Sequence, residues 1–228
     1  MLPRTLEPEV MDTADEAADY DAMDHSEVNR RFVDDWATAC LASHISPQAT
    51  HRMLDVGTGT ALIPIEFCRR FSGSHIVAID LATEMLKLAQ SNIVRAGFRD
   101  HIALQLVDAK RLPWADGEFA TVISNSIIHH IPQPIDSLAE MVRVLAPGGL
   151  LFVRDLLRPP SETALEALVT TYTPGASPSM CQLFRQSLHA ALTVEEVAEM
   201  LDQLGLNRDW VRATSDRHWT LSGVFPVH

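Results

Sequence analysis

The sequence predicts an α/β fold: a doubly wound seven-stranded sheet, mostly parallel, with a C-terminal antiparallel hairpin and helices on both faces. Three observations predict it. A strand, a glycine turn, a helix and a second strand fill Met53 to Asp80 without a gap. Apolar runs of strand length then alternate with runs of helical period as far as Val153. Two strand-like runs come last, Trp210–Ala213 and Trp219–Val224, with no helix between them.

Composition narrows the function classes. Hydrophobic residues make up 46% of the 228, enough for a sizeable core and too many for global disorder. The net charge of −12 argues against a general nucleic-acid binder, which needs a basic face, and favours a small-molecule partner. Cys40, Cys68 and Cys181 are far apart and show no CxxC spacing, so they fit neither a disulfide framework nor a zinc site, and a reducing compartment is expected. No apolar run approaches the length of a membrane span, and the N-terminus has no apolar signal core. A cytoplasmic protein without membrane or nucleic-acid partners is expected, as monomer or homodimer.

In chain order, residues 1–48 read as an N-terminal helical arm or cap and 49–228 as the main domain. The first 25 residues are acidic, and Ala14–Met23 can form a helix turning Tyr20 and Met23 inward; the alternative is a solvated arm. Ser26 can cap the next helix, whose apolar stripe is Val28, Phe32, Val33, Trp36, Cys40 and Leu41. Met53–Val56 is the first buried strand, Gly57-Thr58-Gly59-Thr60 the tight turn, Ala61–Phe71 a helix and Ile76–Ile79 the second strand. The unit's crossover should be right-handed, with a nucleoside ligand at the carboxyl ends of the strands.

The turn indicates which nucleoside. A dinucleotide fingerprint needs a third glycine where this chain has Leu62. Asp55, just before the turn, is a poor neighbour for a pyrophosphate and a good one for a cation. With D-V-G-T-G-T followed by Asp80, the chain resembles the class I S-adenosylmethionine-dependent methyltransferases, in their ubiquinone/menaquinone-methyltransferase-like branch. Their fold is Rossmann-like, and their cofactor, S-adenosyl-L-methionine, carries a sulfonium and an ammonium but no phosphate. The resemblance implies that Asp80 holds the ribose hydroxyls and that the Tyr20-Asp21 helix lies over the cofactor.

The later elements extend the resemblance. Ala82–Ala96 is a helix ended by Gly97, and Ile102–Val107 the third strand. Asp108-Ala109 follows it; in the resembled family an acid here meets the adenine amine. Leu112–Phe119 carries the family's L-P-aromatic-x-D look, Ala120–Ser124 is the fourth strand, and Asn125 leads to His129-His130, where relatives often carry a similar pair. Neighbouring residues of a helical turn face different ways, so at most one histidine should face a pocket. Pro134–Leu145 is a helix, Ala146–Gly149 a break in the family's L-x-P-G-G manner, and Leu150–Val153 the fifth strand. Arg154 and Asp155 either reach substrate or pair with each other or a neighbour.

Residues 156–192 depart from the regular alternation, with helices expected over Ser161–Thr171 and Met180–Ala191. Insertions at this place form the substrate lid in the resembled family. Thr193–Glu196 is a capping box for a helix ending at Gly205, and the final hairpin is foreign to most dehydrogenases.

The function expected is methyl transfer to an unidentified, small-molecule acceptor. The cofactor-binding set is Tyr20, Asp55, Gly57, Thr58, Gly59, Asp80, Leu81, Met85, Asp108, Ala109 and Asn125. Candidate bases are His129, His130 and Asp155, with His25 as a further one. No metal is expected, because adjacent histidines do not readily chelate one ion without further ligands. The rival readings are a non-catalytic S-adenosylmethionine-binding protein and a nicotinamide-dependent oxidoreductase; Leu62 and the hairpin count against the second.

Overall fold

The computed structural model describes residues 2–7, 13–21, 25–48 and 52–227. Met23 lies outside them, and so does the side chain of Tyr20. The strands form one seven-stranded sheet in the order β3-β2-β1-β4-β5-β7-β6. In chain order these are β1 (Arg52–Val56), β2 (His75–Asp80), β3 (Ile102–Leu106), β4 (Phe119–Asn125), β5 (Leu145–Leu156), β6 (Val211–Ala213) and β7 (His218–Val224). β1 pairs in parallel with β2 and β4, and β2 with β3. β6 and β7 pair antiparallel, Val211 opposite Leu221 and Ala213 opposite Trp219, which is the expected C-terminal hairpin.

The chain divides into two units, interleaved in sequence. The larger comprises Val10–Asn125, Asp136–Phe152 and Ser222–His228. It carries helices α1 (Ala14–Asp21), α2 (Ser26–Ala42), α3 (Leu62–Arg70), α4 (Thr83–Ala96) and α5 (Pro134–Val144), the last entering from Asp136 onward. Its core gathers α2, α3, α4, β1, β2 and the middle of β5. Trp36 meets Phe67 and Phe71 edge-on, with ring centres 4.8 and 5.4 Å apart, and Phe32 meets Phe152 at 5.1 Å. Of the stripe expected on α2, Phe32, Val33, Trp36 and Cys40 are buried, but Val28 and Leu41 are exposed. Leu41 is one residue past Cys40, about 100° round the helix, and Val28 is in the first turn.

Residues 146–149 differ from the sequence reading. The helix ends at Val144, close to its expected end at Leu145, but β5 starts at Leu145 and not at Leu150, so Ala146–Gly149 belongs to the strand. Gly148 N–H donates to Phe225 O, and Phe225 N–H to Gly149 O, each at 2.9 Å. A Cβ on Gly149 would stand 2.8 Å from the carbonyl oxygens of Ala120 and Ala146. Glycine is needed at this position for the close approach of a neighbouring strand.

The smaller unit comprises Met1–Glu9, Ser126–Ile135 and Val153–Leu221. It contains a 3-10 turn at Ile128–His130 and helices α6 (Glu162–Tyr172), α7 (Pro178–Ala190) and α8 (Val194–Gln203). Leu156, Leu165, Leu168, Val169, Leu188 and Ala191 form its core. Ser161 caps α6, and Thr193 with Glu196 forms the expected capping box on α8. α7 starts two residues earlier than expected, at Pro178, because Ser177 caps it and proline's fixed φ suits the first helical position.

Candidate functional site

The parallel pairing of β1, β2 and β4 brings their carboxyl ends together in the larger unit. Strand order reverses between β1 and β4, the place where open α/β sheets hold ligands. Here the chain folds into a tight turn with left-handed backbone at Gly57, Gly59 and Ala61, at φ of 76°, 55° and 62°. Glycine adopts this freely and alanine does not, so Ala61 stores strain where α3 begins. The N–H groups of Gly57 and Thr58 both donate to Ile79 O, at 2.9 and 2.8 Å, and so fasten the turn to β2.

Two carboxylates serve the turn differently. Asp80, at the end of β2, accepts from Gly59 N–H through Oδ2 at 2.7 Å and from Ala82 N–H through Oδ1 at 2.9 Å. Each carboxylate oxygen has two lone pairs, so these bonds leave capacity for hydroxyl donors. Asp55 is buried at the end of β1, and its Oδ2 accepts no hydrogen bond from the described residues. Burial pushes its pKa up to about 7; the nearby Thr58 hydroxyl opposes the rise and the charge of Asp80 adds to it. The Thr58 and Thr60 hydroxyl oxygens are also buried without a hydrogen-bond partner among the described residues. Buried polar atoms left unpaired around a strained turn fit a polar, cationic ligand.

The other predicted cofactor residues fall in the same unit. Met85 is buried with Ala17 and Ala82 where α1 packs on α4, while Leu81 is exposed. Asp108 and Ala109 follow β3, half-buried. Burial would raise the Asp108 pKa, but Lys110, whose N–H and ammonium lie 2.9 and 3.1 Å from Oδ1, holds it below the usual carboxylate range. Asn125 ends β4. Tyr20 belongs to α1, but its side chain is outside the described residues.

Asn92 on α4 was not among the sequence candidates. Its amide donates to Asp21 Oδ1 at 2.8 Å and to Thr60 O at 3.1 Å, so it ties α1 to the glycine turn. An asparagine on the inner face of an otherwise apolar helix was the only signal. His25 lines a cleft of about 390 Å³ with Ser26, Asn29, Leu62, Glu66 and Asn92.

The remaining candidates lie in the smaller unit. Asp155 is in β5, buried, and does pair with a neighbour: its Oδ1 is 2.5 Å from His129 Nδ1, and its Oδ2 accepts from Ile128 N–H at 2.5 Å. Arg154 instead donates to Thr220 Oγ1 at 3.0 Å. His129 and His130 do not face apart as expected. Their ring centres are 4.1 Å apart, and both turn to Glu7, with Oε1 3.5 Å from His129 Nε2 and 3.1 Å from His130 Nδ1. Burial alone would make His129 less basic; Asp155 and Glu7 reverse this and raise its pKa above the usual histidine range. Burial would likewise raise Asp155, but His129 and the Leu156 N–H keep it low.

Residues 54–153 match the family model described as a methyltransferase domain. The match spans β1, the glycine turn, Asp80, Asp108 and the first part of β5. Over these residues the chain carries a methyltransferase domain. The buried Asp55 oxygen and the threonine hydroxyls of the glycine turn suit a cation such as S-adenosylmethionine. The chain is 28% identical over 187 residues to a ubiquinone biosynthesis O-methyltransferase of Xanthomonas euvesicatoria, covering 77% of the chain and 76% of that protein. It is 30% identical over 120 residues to methyltransferase GfsG of Streptomyces halstedii, covering 53% of the chain but only 43% of that relative's length. In fold it is similar to a SAM-dependent methyltransferase from Aquifex aeolicus, with a TM-score of 0.61 at 16% identity, covering 93% of this chain and 98% of that one.

Proposed function

We propose that the protein is a class I S-adenosylmethionine-dependent methyltransferase and transfers the sulfonium methyl of S-adenosylmethionine to a small-molecule acceptor. The observation that carries the reading is the pairing, at one glycine turn, of a buried carboxylate oxygen lacking a hydrogen bond, on Asp55, with a braced carboxylate, Asp80. Asp55 and Thr58 would hold the cationic methionyl end, and Asp80 the ribose. Asp108, with Ala109, Leu81 and Met85, would meet the adenine, while Asn125, Gly57, Gly59 and Tyr20 complete the binding set. The bound cofactor supplies an electrophilic methyl group. The chain's own task is to align the acceptor with it and to exclude water.

A base is required only for an acceptor atom that carries a proton at neutral pH. His25 and the linked set His129, His130 and Asp155 are the groups with that capacity. The net charge and the quinone-biosynthetic relative favour a small molecule over nucleic acid as acceptor. We assign acceptor choice to the helical insertion at 156–192, since segments carried on a rigid sheet are where specificity usually sits.

A screen of small-molecule pools, read by S-adenosylhomocysteine release, tests this. Acceptor-dependent release identifies the substrate. Tight cofactor binding without release from any pool, in the presence of nucleic acid and protein controls, would instead favour a binding protein.

A further inference from the structure

We propose that Glu7, His129 and His130 form a binding site for one divalent transition-metal ion of the zinc class, with Asp155 as the residue that orients His129. It lies within the smaller unit and uses the same histidines that are candidate bases, so an ion there would take them out of that role.

The geometry is that of a ligand set. One ligand atom from each of Glu7, His129 and His130 lies within 4.8 Å of the other two. Ligand atoms about 2.0–2.1 Å from a zinc ion at tetrahedral angles stand roughly 3.3 Å apart. Glu7 Oε1 is 3.5 Å from His129 Nε2 and 3.1 Å from His130 Nδ1. Both Glu7 distances therefore match those between ligands of one tetrahedral ion. Glu7 Oε1 is buried, and its contacts with the rings do not satisfy hydrogen-bond geometry. An electron-rich oxygen in that position is better served by an ion between it and the rings.

The surroundings are built to hold these atoms in place. His129 Nδ1 lies 2.5 Å from Asp155 Oδ1, which fixes that nitrogen as a donor and leaves Nε2 facing Glu7, where a bound ion would take the place of its proton. A carboxylate behind a histidine is the usual support of a metal ligand. The other Glu7 oxygen, Oε2, accepts from Ser187 Oγ at 3.2 Å. Arg4 donates to the carbonyls of His129, Ile131 and Ala190, at 3.1, 3.0 and 2.7 Å, and so clamps the histidine turn to the N-terminal segment. Its charge opposes a cation, but two carboxylates, Glu7 and Asp155, outweigh one guanidinium. Arg158 is paired with Glu196.

Two imidazoles and one carboxylate suit zinc, cobalt or a similar ion, and not magnesium or calcium, which prefer oxygen. Three protein ligands leave a fourth position for water or a small ligand. The expectation of no metal rested on the lack of a further ligand beside the histidine pair; Glu7, remote in sequence, supplies it.

The test uses the full chain, free of any affinity tag, stripped by a chelator and then titrated with Zn²⁺ against a chromophoric competitor and with Co²⁺ by absorbance. Binding of one ion per chain at micromolar concentration or tighter is expected, with no response to Mg²⁺. Glu7→Gln and His130→Ala should each weaken Zn²⁺ binding at least tenfold, and Asp155→Asn by about 10–100-fold. His130 is only partly buried, so its variant keeps the test open should the Asp155 variant fail to fold. Absence of Zn²⁺ and Co²⁺ binding by a folded chain, or binding indifferent to Glu7→Gln and His130→Ala, would overturn the proposal. S-adenosylmethionine titrated into the same preparations reads the cofactor site separately.

Discussion

Asp80 and Gly59 are joined across the glycine turn: the Gly59 N–H donates to Asp80 Oδ2 at 2.7 Å. The carboxylate expected to take the ribose hydroxyls thus also sets the backbone of the turn. Asp80→Ala removes both services, and Asp80→Asn keeps an acceptor for Gly59 while losing the charge. Hydrogen bonds to a charged group are worth roughly 1.5–3 kcal/mol each. The alanine variant should lose tenfold or more in S-adenosylmethionine affinity by calorimetry, about 1.4 kcal/mol or above, and the asparagine variant less. Equal affinity in all three folded proteins would leave Asp80 as a turn residue only.

Asp55 should make cofactor binding depend on pH. Its pKa in the fold is about 7, raised by burial, against about 3.9 in an unfolded chain. Between those values the native state keeps a proton that the unfolded state releases, so this group's contribution to stability falls as pH rises through the window. A cation brought beside the carboxylate favours its ionised form and expels the proton. Affinity for S-adenosylmethionine should therefore rise between roughly pH 5.5 and 8, a range that straddles the pKa, and Asp55→Asn should flatten the dependence. An identical pH profile in the wild type and Asp55→Asn would contradict this.

Asn92→Leu should uncouple α1 from the turn. It leaves the buried Thr60 carbonyl and Asp21 without the amide that now serves both. Unpaired buried polar groups cost about 1–3 kcal/mol. A lower thermal midpoint together with weaker cofactor binding is expected. A change in neither would show that the bridge is dispensable.

Much of this arrangement was legible in the sequence. The glycine turn, Asp55 and Asp80 sit where local chemistry demands them, because a strand, a tight turn and a helix are written over neighbouring residues. The capping box at Thr193 and the final hairpin were equally local. What was not legible depends on residues far apart in the chain. Glu7 meets His129 and His130 only in the fold, and nothing near the histidine pair announces an acid. Asn92 looks like any polar residue of a helix until Thr60 and Asp21 are placed around it. The glycines before Leu150 read as a break, because the neighbours that forbid a Cβ at Gly149 include Ala120 on another strand.

If the glycine turn holds S-adenosylmethionine, calorimetric titration of the full chain with S-adenosylmethionine, S-adenosylhomocysteine, NAD and NADP shows it most directly. One S-adenosylmethionine or S-adenosylhomocysteine should bind per chain, neither nicotinamide dinucleotide should bind, and Asp80→Ala should weaken the binding. Tight binding of NAD or NADP with no heat from S-adenosylmethionine would contradict the account.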